Sequence, residues 1–147
     1  LRIKSARLAV LSACETAMVG TSLPDEVISL PAAFMRAGFC GVIASLWVVP
    51  DLSTAILMER FYRLWRNGRL EPSEALRQAQ MWVRDTTRKE KIAYYKQLEN
   101  MDWAEQGPQS AFGASAAAIA TLLEAHREGE LDFSHPYFWS AFQYIGY

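Results

Sequence analysis

The sequence has little net charge, few cysteines and no long apolar run. Its 15 basic and 16 acidic side chains give a net charge of -1, so no long-range field attracts nucleic acid or an anionic membrane. Charged residues interrupt every apolar run before the roughly 18 residues that a membrane-spanning helix needs. We therefore expect a soluble protein with no membrane segment and no nucleic-acid partner.

Thiols and imidazoles are also scarce. The chain has two cysteines, Cys14 and Cys40, and two histidines, His126 and His135. Such cysteine usage is typical of reduced thiols in a cytoplasm rather than of a secreted disulfide framework. The sequence has no Gly-rich phosphate loop, no Cys-x-x-Cys and no closely spaced histidine pair. Neither a cofactor nor a metal is predicted.

Alternating strand-like and helix-like segments predict an α/β domain with a mostly parallel sheet and helices on its faces. Strands are predicted over 7–13, 41–49 and 137–145, and helices over 25–38, 51–68 and 72–85. Pro31 is expected to kink or restart the first helix. Residues 88–129 leave this rhythm and predict an inserted hairpin of two helices, broken at Gly107-Pro108.

The helix after the second strand shows two faces. Its apolar face comprises Met58, Phe61, Tyr62 and Trp65, and its polar face comprises Glu59, Arg63 and Arg66. Asp51 or Ser53 is expected to cap its start, and Gly68 to end it.

Cys14 is the chief chemical candidate because it follows a predicted strand, where open α/β sheets bind their ligands. The residues alone favour a small buried thiol over a nucleophile there, and Cys40 is expected to fill the core. A nucleophilic thiol needs a base. His126 lies near a helix end, and His135 lies at the edge opposite Cys14 unless the last strand is antiparallel.

Trp47 and Asp51 follow the second strand, which should end beside the strand of Cys14. We expect that these two side chains can line one pocket with the thiol. Packing of Trp47 and helix capping by Asp51 are the alternative roles, and the residues themselves leave both open.

Four ordered motifs resemble a known family. "LAVLSACETA", "LPDEVISLPAAFMRAGFCGVIASLWVVPDLSTAILMERFYRLW", "EPSEALRQAQMWVR" and "HPYFWSAFQYIG" are similar to the C-terminal part of the CHAT family. These are caspase-like domains often found behind tetratricopeptide repeats. The resemblance covers residues 6–86 and 134–147 and leaves out 88–129.

The resemblance implies a caspase-like three-layer α/β/α fold over 1–147, incomplete because it starts within the domain. It implies a cysteine endopeptidase acting on a peptide or protein substrate, with Cys14 as nucleophile. The general-base histidine is expected upstream of Leu1, because neither His126 nor His135 matches its motif. The segment from Leu46 to Asp51 is expected to shape the specificity pocket.

Two alternatives concern how the chain acts. It is expected either to belong to an active peptidase, inactive as an isolated fragment, or to be a non-catalytic interaction and signalling module. The upstream half of the domain and tetratricopeptide repeats are the expected partners in the parent chain. A homodimer through an exposed sheet edge is a further expectation.

Overall fold

The computed structural model describes residues 7–11, 25–106, 111–126 and 133–146, which form a mixed α/β structure. Its strands are β1 (Leu8–Leu11), β2 (Gly41–Ser45) and β3 (Phe142–Gly146). Its helices are α1 (Asp25–Arg36), α2 (Asp51–Tyr62), α3 (Pro72–Asp85), α4 (Arg88–Gln106), α5 (Ala111–Ala125) and the single-turn α6 (Pro136–Trp139). A π-helical turn, Arg63–Asn67, continues α2 and ends at Gly68, as expected.

The described strands form one sheet in the order β1-β2-β3. β1 and β2 are parallel, with Leu11 opposite Ala44, as the alternating pattern predicts. β3 is antiparallel to β2, and its first residue, Phe142, lies opposite Ser45. This part of the sheet is therefore mixed, and the start of β3 lies at the edge where β1 and β2 end.

Residues 137–141 were predicted as strand, and this prediction is wrong. The chain instead makes α6, because Pro136 fits the first position of a helix and His135 caps it. The His135 imidazole accepts a hydrogen bond from the Tyr137 backbone N–H at 3.2 Å. The aromatic run favours a strand by propensity, but these helix-start signals decide the local conformation.

β2 also ends earlier than predicted, at Ser45 instead of residue 49. The Ser45 hydroxyl donates to the carbonyl of Trp47, which bends the chain out of the sheet. The Leu46 N–H then donates to the carbonyl of Ala141 at 2.8 Å. We call residues 46–50, which leave the sheet here, the strand-end segment.

Two glycines allow Tyr144 to lie across the sheet. Gly41 and Gly146 are opposite each other in the β2–β3 register. A Cβ at Gly41 would lie 2.6 Å from Cε2 of Tyr144, and a Cβ at Gly146 would lie 2.6 Å from the carbonyl oxygen of Cys40. Larger residues would displace the ring or the neighbouring backbone, so the two glycines permit the close contact.

The first helix is continuous at Pro31. α1 runs unbroken through Pro31, so it does not restart there, and it ends before Gly38, whose φ is 105°.

The expectation that Cys40 fills the core is wrong, because Cys40 is exposed. It lies in the turn between Gly38 and the buried start of β2, so local geometry outweighs the usual tendency of cysteine to be buried.

The core lies between the sheet and the helices, and both faces of β2 are covered. Val42 and Ile43 point to opposite faces of the strand, and both are fully buried. The main cluster around Ile43 draws buried residues from several elements: Ile56, Leu57 and Phe61 of α2, Leu76, Ala79 and Val83 of α3, and Phe142 of β3.

The predicted helical pair over 88–129 is confirmed as α4 and α5, and it takes part in this core. Tyr95 and Leu98 of α4 and Ile119 and Leu123 of α5 are buried in the same cluster. The pair is therefore packed into the described structure and does not project from it.

One residue of the predicted polar face of α2 is buried. Glu59 is only 8% exposed, and the side chain of Tyr95, from α4, lies against it. Its carboxylate forms an ion pair with Arg63, one turn later in the same helix. The sequence periodicity of α2 indicates one apolar face. Neighbouring elements bury that face and also part of the predicted polar face.

Candidate functional site

The carboxyl ends of β1 and β2 lie at the same edge of the sheet, where α/β folds bind ligands. Cys14, the predicted nucleophile, lies outside the described residues. It follows Leu11, the last residue of β1, by three positions in the chain. Trp47 and Asp51 both follow the end of β2, so the two residues predicted to line a pocket share this edge.

The strand-end segment is fixed by two reciprocal hydrogen bonds to α6. The Trp47 indole Nε1 donates to the Tyr137 carbonyl at 3.1 Å. The Tyr137 hydroxyl donates in return to the Val48 carbonyl at 2.8 Å. The Trp47 ring is half-buried and also packs against the core. The segment thus has a defined conformation although it belongs to no helix or strand.

Apolar side chains are exposed on this anchored segment and on α6 beside it. Leu46 is 45% exposed, Val48 41% and Tyr137 43%. Neighbouring exposed apolar side chains can form part of an interaction surface. Tyr137 was missed by sequence reasoning, which assigned it to a strand. The His-Pro pair before it was the available signal, because proline is common at the first helical position.

Asp51 lies in the first turn of α2 with an exposed carboxylate. It is not the N-cap, which is Pro50, so this part of the expectation is wrong. The Pro50 carbonyl accepts from the Ser53 hydroxyl at 2.9 Å and from the Thr54 N–H at 3.0 Å. The positive end of the helix dipole favours the carboxylate of Asp51 at this position. Its predicted role in substrate selection remains a prediction.

The two histidines have local roles at helix ends. His135 caps α6 and, because β3 is antiparallel, lies toward the same edge as the strand-end segment. His126 follows α5 and is exposed, with Nδ1 2.8 Å from the Leu122 carbonyl oxygen. This agrees with the helix-end role expected for His126.

We expect the two hydrogen bonds that fix the strand-end segment to stabilise it jointly. Tyr137→Phe and Trp47→Phe should each lower the free energy of unfolding by about 1 kcal/mol. Together they should show a coupling of about 0.5 kcal/mol or more, because both bonds hold the same segment. Urea denaturation of the four proteins of this double-mutant cycle measures it.

Trp139→Phe provides the matched control for this cycle. The Trp139 indole donates within its own turn, to the Ser134 carbonyl at 3.0 Å. The loss in the free energy of unfolding caused by Trp139→Phe should add to the loss caused by Trp47→Phe, with no coupling between the two. If Tyr137→Phe and Trp47→Phe are equally additive, the two bonds do not act as a unit.

The described residues contain no cluster of His, Cys, Asp or Glu suited to hold a metal ion. In the same ranges, none of the helices is both long and apolar enough to cross a membrane.

Comparison with known families gives one match. A family model for the CHAT domain matches residues 1–147, including the helical pair over 88–129 that the motif comparison left out. No curated protein matches the chain, and no solved structure does.

Proposed function

The chain belongs to the CHAT domain family, and from this premise we propose that it is the C-terminal part of a caspase-like cysteine endopeptidase domain with Cys14 as nucleophile. The observation that carries the proposal is the parallel β1–β2 pair, whose carboxyl ends meet beside an anchored apolar segment. Three residues of chain span at most about 11 Å. Cys14 follows Leu11, the last residue of β1, by three positions, and this short separation supports the proposal.

The proposed chemistry is acyl transfer through a thioester. The thiolate of Cys14 attacks the carbonyl carbon of the substrate, and backbone N–H groups stabilise the oxyanion that forms. Collapse of this intermediate breaks the peptide C–N bond, and the amine leaves with the proton that the general base took from the thiol of Cys14. Water then hydrolyses the thioester and regenerates the thiol.

The general base of this reaction is assigned to a histidine outside residues 1–147, as the family resemblance implies. His126 and His135 both have hydrogen-bond partners in the backbone of nearby helix ends. The upstream half of the domain is therefore a required partner in the proposal. Tetratricopeptide repeats and a homodimer through an outer strand, β1 or β3 among the described strands, are further proposed partners.

The strand-end segment supplies the proposed substrate contacts. Leu46 and Val48 offer apolar surface to an extended peptide. The exposed carboxylate of Asp51 would favour a basic side chain before the scissile bond. The hydrogen bonds that join Trp47 and Val48 to Tyr137 hold this surface in place before substrate arrives, which reduces the entropy that binding costs.

The second candidate function is a non-catalytic interaction module with the same fold. One observation favours it: His126 and His135 both have hydrogen-bond partners at helix ends. In that case Cys14 is an ordinary protonated thiol, and the strand-end segment binds a peptide without cleaving it.

Thiol labelling distinguishes these candidates, and Cys40 provides an internal control because it is exposed and free. A peptidyl acyloxymethyl ketone alkylates a thiolate and releases a carboxylate. In the full-length protein it should modify Cys14 at least about tenfold faster than Cys40, because an activated thiol has a lowered pKa. Mass spectrometry of the labelled peptides measures the two rates.

Iodoacetamide, which has no peptide portion, should label the exposed Cys40 readily. If the peptidyl probe modifies both cysteines at the same rate, Cys14 is not activated. The non-catalytic function would then be favoured.

A further inference from the structure

A continuous series of contacts joins α4 to the strand-end segment. Nζ of Lys91, in α4, lies 5.4 Å from the centre of the Phe133 ring. The rings of Phe133 and Phe138 meet edge to face, with 5.6 Å between their centres. Phe138 packs in the same way on Tyr137, at 5.5 Å, and the Tyr137 hydroxyl donates to the Val48 carbonyl. The series therefore runs from the helical pair to the proposed substrate surface.

α6 depends on such contacts for its position. A helix of a single turn is not stable by itself, because nucleation costs more than its few hydrogen bonds return. Among the described residues, two ring contacts hold α6 from outside: Phe138 packs on Phe133, and the Trp139 ring lies 5.6 Å from the guanidinium carbon of Arg84. The Arg84 side chain is 41% exposed, whereas Phe133 is buried. A cation over a ring contributes least at exposed sites, so Phe133 is the stronger support.

Phe133 is in turn held by α4. Lys91 is fully buried, and a cation over a ring contributes most when it is desolvated. The ammonium group also donates to the carbonyls of Val83 and Thr86 at the end of α3, which fix its position. α4 is itself packed into the core through Tyr95, which is fully buried. The location of Phe133, and with it that of α6, therefore depends on α4.

We propose that α4 positions the strand-end segment, and that Lys91, Phe133 and Phe138 are the positioning residues through which it acts. They act on Tyr137, whose hydroxyl and carbonyl both bind the segment. The family motifs in the sequence leave out the helical pair, and this coupling gives the pair a role: a movement of α4 would loosen the surface proposed to bind substrate. The use of that surface rests on the proposed function, whereas the coupling itself does not.

The Trp47 indole hydrogen reports the state of the segment, because Nε1 donates it to the Tyr137 carbonyl at 3.1 Å. Its exchange with solvent is measured by ¹H–¹⁵N NMR of the full-length protein, and the signal that disappears in Trp47→Phe identifies it. Phe133→Leu should raise the exchange rate roughly threefold to tenfold, which corresponds to the energy of one aromatic pair. Phe138→Leu breaks the same pair, should give at least the same increase, and replaces Phe133→Leu if that variant does not fold.

Further variants locate the effect. Ile119→Val trims the same core at a comparable cost in stability, but Ile119 is not part of the series, so the exchange rate should not change. The double variant of Phe133→Leu and Phe138→Leu should exchange no faster than Phe138→Leu alone, because the pair is already broken. Arg84→Met removes the exposed support of α6 and should raise the rate less than Phe133→Leu does. A larger effect of Arg84→Met would assign the support to α3 instead.

Lys91→Gln tests the part played by α4. Glutamine can still donate to the carbonyls at the end of α3, but it places no cation over the Phe133 ring. The Trp47 exchange rate should rise at least about threefold in this variant, because the ring loses a desolvated cation. Lys91→Met, which also removes the donor, replaces Lys91→Gln if that variant does not fold.

Three further results would overturn the proposal. An unchanged rate in both Phe133→Leu and Phe138→Leu would show that the segment does not depend on these rings. An equal increase in Ile119→Val would attribute the effect to a general loss of stability. An unchanged rate in the Lys91 variants would remove α4 from the series. Peptide cleavage is not a readout of these experiments, so they can fail while the peptidase proposal stands, and cleavage that persists in Cys14→Ala would leave them unaffected.

Discussion

Cys14→Ala is expected to reduce peptide cleavage by the full-length protein on the order of 10⁴-fold or more, because the reaction loses its nucleophile. Alanine keeps the backbone and the Cβ and removes only the sulfur, so substrate binding should change little. The loss should therefore appear in kcat, with KM nearly unchanged. Initial rates over a range of peptide concentrations measure the two constants separately.

Cys40→Ala is the matched control for this substitution. Cys40 is also a free thiol, but it is exposed in the turn before β2. Its replacement should leave cleavage unchanged. If Cys14→Ala cleaves peptides at the rate of the unmodified protein, the nucleophile is wrongly assigned, whatever the result of labelling.

The second large effect is expected at Lys91, which is fully buried. Its ammonium group donates to the carbonyls of Val83 and Thr86 and to the Thr86 hydroxyl, all at the end of α3. It also lies 5.4 Å from the centres of the Trp82 and Phe133 rings. A buried cation is stable here because the carboxyl end of a helix carries partial negative charge and unpaired carbonyls.

Lys91→Met should lower the free energy of unfolding by about 3 kcal/mol, because it leaves buried carbonyl oxygens at the end of α3 without their donor. Methionine fills most of the same space, so the loss is one of hydrogen bonds and charge. Denaturation in guanidinium chloride, followed by far-UV circular dichroism, measures it.

Lys89→Met provides the comparison, since Lys89 is exposed on the same helix. It should change the stability by no more than about 0.5 kcal/mol. Equal midpoints for the two variants would show that Lys91 contributes no more than an ordinary surface lysine.

The elements that the sequence predicts well are those set by local signals. α3 begins at Pro72 and ends at Asp85, as predicted, because proline at its start and a regular apolar stripe agree. The parallel pairing of β1 and β2 also follows from two short aliphatic runs with a helix between them. Family membership was likewise predictable from ordered motifs.

The missed features depend on contacts between distant parts of the chain. Glu59 is polar by periodicity, yet it is buried beside Tyr95 of α4, 36 residues later. Tyr137 anchors Val48 across 89 positions, and no local pattern reports such a bond. Trp47 could thus be predicted at the candidate site from its place after β2, while its hydrogen-bond partner could not.

The anchoring of the strand-end segment also has a consequence for the order of events during synthesis. Trp47 obtains its partner only when the chain has grown a further 90 residues, to Tyr137. At about 5–20 residues per second, the ribosome needs roughly 5–18 s for that stretch. A nascent chain that already carries Cys14 therefore lacks the hydrogen bonds that fix the strand-end segment during this interval. Translation arrested before Tyr137 would release a product whose strand-end segment lacks both hydrogen bonds to α6.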